Sequence, residues 1–310
     1  EIEVSKEDTK CKLAEKWIPK TVVDSELQVN ENDTQIHIKG REFAYTIDKR
    51  TALFTEMKFA GREYLNHPME LNIWRAPTDN DMYIKFEWKK AHYDKAYTRA
   101  YMTEVVQGKH GVKITSHASV VAETVQKILD VTITWKIEAA GKIDADIAVT
   151  KDDEFPDLPR FGVRMFLDKK LSAVRYFGMG PQESYCDKHQ AASHGLYQAN
   201  VDDLHEDYIR PQENGSHYDC EYVELNNSRY GIVASAEKAF SFNASYYTQE
   251  ELEKKTHNYE LTESDSVVFC VDYALNGIGS NSCGPVVLEQ YRFDDVLFRF
   301  QFTLIPYVKG

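Results

Sequence analysis

The chain has 310 residues, 42% of them hydrophobic, and a formal net charge of −13. That acidity excludes a nucleic-acid binder, which needs basic patches to displace counterions, and no apolar run approaches the ~18 residues of a membrane span. The size suits one large all-β domain or two ordinary ones. Aromatic residues make up 12%, including 19 Tyr and 15 Phe, a composition that suits β-sheets and sugar-stacking surfaces equally. The first residue is not Met, so the chain reads as a processed or excised piece, and the lack of a visible signal peptide carries no information. Five widely spaced cysteines, Cys11, Cys186, Cys220, Cys270 and Cys283, form no CxxC pair. A structural zinc site is not expected, and the cysteines read as free thiols of a reducing, cytoplasmic compartment.

Residues 1–25 are mixed, rich in Lys and Glu up to Lys16 and interrupted by Trp17-Ile18-Pro19. They read as a linker or the tail of a preceding domain. From residue 26 onward the pattern is strand after strand. Gln35-Ile36-His37-Ile38-Lys39 alternates, as do residues 42–48 with Phe43, Tyr45 and Ile47 on one side. Residues 55–59, 112–121, 125–138 and 143–150 continue it. Thr132-Ile133-Thr134-Trp135-Lys136-Ile137 is the clearest period-2 strand, closed by the turn Ala139-Ala140-Gly141-Lys142. Further strands are expected at residues 163–167, 174–177, 220–225, 231–234, 240–245, 267–274 and 296–305. The spacing Thr248…Glu251 is that of a capping box and predicts one short helix over 248–255; residues 86–95 form a second candidate. Fifteen or more strands in one run predict a large sandwich of two antiparallel sheets with one or two short helices.

Function is expected where the strand pattern breaks. Ile73-Trp74-Arg75-Ala76-Pro77-Thr78-Asp79-Asn80-Asp81 gathers an indole, a guanidinium and three side-chain carbonyl groups around a proline. Such a set can hold a sugar by stacking and hydrogen bonding, order its own loop, or offer a cation site at Asp79 and Asp81. Trp88-Lys89-Lys90-Ala91-His92-Tyr93 is a second break. In the third, residues 174–177 stop at Gly178, and Gly178, Gly180 and Pro181 are expected to turn the chain. Gln182, Glu183, Ser184, Tyr185 and Asp187 then crowd polar groups together, and the break extends to Arg210-Pro211-Gln212-Glu213-Asn214-Gly215. The fourth is Asn276-Gly277-Ile278-Gly279-Ser280-Asn281-Ser282-Cys283-Gly284-Pro285, a shaped loop with three glycines and a proline.

Four of these stretches occur in family order: residues 74–81, Gly178-Met179-Gly180-Pro181-Gln182-Glu183-Ser184-Tyr185, residues 210–215, and Gly277-Ile278-Gly279-Ser280-Asn281-Ser282. Over about residues 26–310 the chain resembles the C-terminal domain of glycoside hydrolase family 2 β-galactosidases, and it is similar to the small subunit of two-subunit β-galactosidases. The resemblance implies an all-β supersandwich of the galactose mutarotase-like type, preceded by an immunoglobulin-like domain whose end is residues 1–25. It also implies that the two catalytic glutamates of the retaining mechanism, and the Mg and Na sites of the complete enzyme, lie on an upstream TIM barrel. This chain would then hold no catalytic residue, no metal and no cofactor of its own. Its partners would be the barrel and immunoglobulin-like domains and a galactoside substrate. The residues expected to complete the substrate pocket are Arg75, Asp79, Asn80, Trp88, His92, Tyr93, Ser280, Asn281 and Cys283. Cys283 stands near where some family members place a Trp. Gly178, Gly180, Pro181, Gln182, Glu183, Tyr185, Arg210, Glu213 and Asn214 are expected to shape loops, with Glu183 and Glu213 open to a second reading as substitute catalytic carboxylates. Two other function classes stay open: an aldose epimerase using a Glu base and acids among His92, His194, His205 and His217, and a carbohydrate-binding module with exposed aromatics.

Overall fold

The computed structural model describes residues 27–124, 127–279 and 284–309. The expected linker at residues 1–25 and the pocket candidates Ser280, Asn281 and Cys283 lie outside the described residues.

Alternation of apolar and polar side chains drives the fold. A small antiparallel sheet runs in order through β1 (Gln28–Glu31), β2 (Gln35–Lys39), β3 (Phe43–Asp48), β4 (Leu53–Phe59) and β5 (Arg62–Glu63). The remaining strands form one large antiparallel sheet: β6 (Leu65–Asn72), β7 (Tyr97–Gln107), β8 (Gly111–Val121), β9 (Leu129–Glu138), β10 (Ile143–Lys151), β11 (Arg160–Asp168), β12 (Ala173–Gly180), β13 (Ser193–Asn200), β14 (Ser216–Asn226), β15 (Tyr230–Ser245), β16 (Ser266–Leu275) and β17 (Leu297–Val308). Its main path is β13-β12-β14-β15-β17-β10-β9-β8-β7, and β15 also pairs with β16, which leads through β11 to β6. Two short α-helices complete the set, α1 (Ile84–Lys90) and α2 (Gln249–Lys254). The expected capping of α2 is present, Glu251 N donating to Thr248 Oγ1 at 3.1 Å.

The two sheets face each other through one continuous core. On β9, Leu129, Val131, Ile133, Trp135 and Ile137 point inward. Trp135 meets Phe54 of the small sheet at 4.9 Å and Phe302 of β17 at 6.4 Å, and its indole N–H donates to the Ala52 carbonyl at 2.8 Å. That bond gives the buried indole the partner it needs. Tyr45 likewise donates to Gly141 O at 2.7 Å across the sheets.

One boundary and three strands differ from expectation. β12 does not stop at residue 177 but runs through Gly178 to Gly180, and the chain turns at Pro181, after a cis Gly180–Pro181 bond. Gly178 is a packing position: a Cβ there would meet Cys220 on β14, so the missing side chain lets β12 pass close to that strand. Residues 65–72, 97–107 and 193–200 are strands without clean alternation. β7 and β13 are edge strands exposed along much of both faces, and β6 carries Pro68 at a break in its register with β11, between Glu70↔Arg164 and His67↔Phe166.

Candidate functional site

β6 ends at Asn72, whose side chain accepts from Trp74 N at 3.0 Å and starts an irregular segment. Trp74 packs edge-on to Trp88 of α1, ring centroids 6.2 Å apart, and the Arg75 guanidinium lies 5.2 Å over the same Trp88 ring. Arg75 is fully enclosed. Its Nε and Nη2 donate to Asp81 at 3.2 and 2.7 Å, Nη2 donates also to Gly277 O at 3.2 Å, and Nη1 donates to Asn276 O. Asp81 also accepts from Thr78 N at 2.8 Å and Thr78 Oγ1 at 3.1 Å. Asn80 Nδ2 donates to Ile278 O at 2.7 Å and to Gly279 O. The loop of residues 74–81 is therefore clamped to residues 276–279, which open the fourth sequence break.

Asp187 holds that second segment from the other side, accepting from Ile278 N at 3.0 Å and Gly279 N at 2.7 Å. The 210–215 segment is tied in as well. Gln212 Nε2 donates to Asp79 Oδ2 at 3.1 Å, Asp79 N donates to Gln212 Oε1 at 3.0 Å, and Glu213 N donates to Ala76 O at 3.0 Å. Three breaks far apart in sequence thus form one platform at one end of the sandwich. Both carboxylates help to order the loop, Asp79 accepting from Gln212 and Asp81 from Arg75 and Thr78. Among the described residues no group of three or more His, Cys, Asp or Glu side chains is placed to hold a metal ion.

Three expectations need correction. Trp88 is fully buried with its indole N–H on Asp157 O at 2.9 Å, and Tyr93 is buried with its hydroxyl on Pro156 O at 2.7 Å. Neither ring faces a pocket. Residues two apart on a helix point to opposite sides, so burying Trp88 exposes Phe86, 64% accessible. Arg75 is likewise a clamp enclosed in the loop and not a group open to ligand. Asp79 is exposed, and Asn80 and His92 are half-buried, His92 with a left-handed backbone at φ 57°.

The Beta galactosidase small chain family matches residues 39–304. The chain belongs to this family. It is 44% identical over 93% of its length to a β-galactosidase of Actinobacillus pleuropneumoniae and 33% identical over 91% to one of Staphylococcus xylosus. It spans 28% of the length of each of these relatives. Among solved structures, it is similar to a galactose mutarotase-like protein of Lactobacillus casei, with a TM-score of 0.45 and 12% identity over 91% of this chain and 100% of that one. It is also similar to a galactose 1-epimerase of Lactobacillus acidophilus, with a TM-score of 0.46 and 7% identity over 93% and 100%.

In this member of the family, Glu183 and Glu213 both turn inward. Glu183 accepts from Gly215 N at 2.8 Å, from Lys188 Nζ and from the Tyr208 hydroxyl. Glu213 is buried against Arg160, whose Nη1 reaches Oε2 at 3.2 Å while its Nε and Nη2 grip Asp272 at 3.2 and 2.6 Å. Burial raises the Glu213 carboxyl above the usual range, opposed by Arg160. Its other oxygen, and the Tyr185 hydroxyl, have no partner among the described residues. Asn214 locks the same turn, donating to Gln212 O at 2.8 Å and accepting from Glu206 N at 3.0 Å. Pro181, Gln182 and Arg210 are exposed on the turns around it, and Gly178 and Gly180 lie in β12.

The four histidines do not converge. His217 is buried between Tyr176 and Phe242 and held to Met179 O at 3.2 Å, with burial lowering its pKa to about 4. His205 packs on Tyr247, lowered by burial too, and His194 bonds Asp219 O at 3.0 Å near the β13 edge. His92 stands beyond α1. Sequence reading missed Tyr83, Phe86 and Ile209, which are 62, 64 and 96% exposed on segments attached to the platform. The signal available was Tyr83 and Phe86 at helical spacing in the break after residue 81, and Ile209 in the polar stretch 205–214.

Proposed function

We propose that this chain is the non-catalytic C-terminal region of a glycoside hydrolase family 2 β-galactosidase. In this reading it closes one side of a substrate pocket and supports assembly with an upstream TIM barrel and immunoglobulin-like domain. The parent protein hydrolyses terminal β-galactosides with an acid/base and a nucleophilic glutamate carried by the barrel, where its Mg and Na would also sit. The observation that carries the reading is the platform itself: residues 74–81 clamped to residues 276–279, bordered by Tyr83, Phe86 and Ile209, all strongly exposed. Large apolar side chains exposed on segments next to fixed polar groups suit an interaction surface, and loops at a sandwich end are where a neighbouring domain docks. Asp79 and Asn80 then border the pocket, and Arg75 fixes the loop that presents them. The free thiols of Cys186, Cys220 and Cys270 agree with a cytoplasmic protein.

The test is reconstitution. The chain alone and the rest of the parent alone should each fail to hydrolyse nitrophenyl β-galactoside, and their mixture should do so. Phe86→Ala with Ile209→Asp should weaken reconstitution at least tenfold at unchanged melting temperature. Turnover by the chain alone that follows it through purification, and vanishes in Glu183→Gln or Glu213→Gln, would overturn the reading.

A further inference from the structure

The forked strand β15 opens a cleft on the large sheet. Residues Tyr230–Ser235 of β15 pair with β17, and Ser241–Ser245 pair with β16. Between them, residues 236–239 bulge out, since Ser235 opposes Tyr222 of β14 while Phe240 already opposes Cys220. Beyond the fork, β17 is paired only with β10 over residues 297–302, and β16 only with β11 at residues 274–275. Two strand edges therefore border the same gap, and among the described residues no strand lies between them. Backbone donors and acceptors along such edges are available to a ligand.

The gap is a cleft of about 670 Å³, within the roughly 300–1,000 Å³ of small-molecule sites. Its lining is mixed. Four basic and five acidic side chains nearly cancel, and the Arg299–Asp146 pair already neutralises two of them. Such a cleft gives no net preference for an anion or a cation. Half-buried tyrosines supply apolar faces: Tyr273, stacked on Phe298 with centroids 4.8 Å apart at 16°, Tyr218 and Tyr291. None of the four candidate histidines lines it. Flat aromatic faces bury the C–H side of a pyranose, while Gln301, Thr303, Glu237 and Lys238 suit its hydroxyls.

We propose that this cleft binds a neutral oligosaccharide, at a site separate from the loop platform. The wall formed by Tyr185 and Cys186 divides the two: Cys186 Sγ lies 3.7 Å from Leu275 O and 3.8 Å from Tyr291 O, and Asp187, next in the chain, holds residues 278–279. The site accepts sugar without cleaving it, and its occupancy does not depend on the barrel.

The experiment titrates the full 310-residue chain, checked for its β circular dichroism, with galactosyl-lactose and with maltotriose by calorimetry and saturation-transfer NMR. Binding of at least one trisaccharide is expected, weakened tenfold or more by Tyr273→Ala. Gln301→Trp, an exposed position that fills the cleft, should do the same without disturbing the core, and Phe86→Ala should leave binding unchanged. Absence of binding of either sugar up to about 20 mM, weaker than any useful site, overturns the proposal. Binding that Gln301→Trp leaves intact overturns it equally. Reconstituted hydrolysis is a separate readout, so the platform and the cleft fail independently.

Discussion

Replacing Arg75 by Met tests whether the platform is held by one buried cation. The guanidinium has no exposed surface and the Asp81 side chain is 4% exposed. Removing the cation leaves the Asp81 carboxylate buried with only Thr78 to donate to it, and it strips the Arg75 donors from the carbonyls of Asn276 and Gly277. Breaking a buried ion pair from one side costs about 3–5 kcal/mol. At roughly 2–4 °C per kcal/mol for a domain of this class, the melting temperature should drop by about 6–20 °C. Arg75→Met/Asp81→Leu, which removes both charges, should recover a large part of that loss, whereas Lys136→Ala on an exposed strand position should change stability by less than about 0.5 kcal/mol. Hydrogen exchange locates the effect: the amides of Ile278 and Gly279 should exchange faster in Arg75→Met, because the segment they belong to has lost one of its clamps. A fall below about 2 °C, a value near that of an ordinary surface change, or a double variant worse than the sum of the singles would refute the reasoning.

Gly215→Ala should destabilise by about 1–3 kcal/mol: its φ is +70°, and a Cβ there would collide with the Leu204 carbonyl; an unchanged chemical-denaturation midpoint would contradict this. Burial holds the His217 pKa at about 4 when folded, against ~6.5 in the unfolded chain. The unfolded chain therefore takes up a proton first as pH falls, and the stability supplied by neutral His217 is present above pH ~6.5 and lost toward pH 4, up to about 3 kcal/mol. The lead of the wild type over His217→Gln in denaturant titrations should shrink across that window, and a constant lead would exclude the linkage. Glu183→Gln should lower the melting temperature, since the buried carboxylate gathers Gly215 N, Lys188 and Tyr208 on one turn; an unchanged melting curve would mean that turn is held by other groups.

Much of the fold was legible in the residues. Period-2 alternation located the inward faces of β9, β10 and β17, because one side of each strand must be apolar to bury against the facing sheet. The Thr248…Glu251 spacing located α2, because the cap is a local interaction three residues long. The ordered motifs located the family, and the loops they mark do meet at one end of the domain. Edge strands β7 and β13 were not legible, since neither face of an edge strand has to be apolar. Nor was the extension of β12 through two glycines, which the proximity of Cys220 alone accounts for at Gly178.

The sequence by itself determined that Trp88, Arg75, Asp79 and Glu213 stand in breaks between strands, but not which way each would point. Only the tertiary structure decided that Trp88 and Arg75 are enclosed while Phe86 and Asp79 are exposed, and that Glu213 shares Arg160 with Asp272, 59 residues further along the chain. The fork of β15, and with it the cleft, was equally hidden. A strand that changes partners has the same alternation as one that does not, because local pattern records which side of a residue is buried and carries nothing about which distant strand it is buried against.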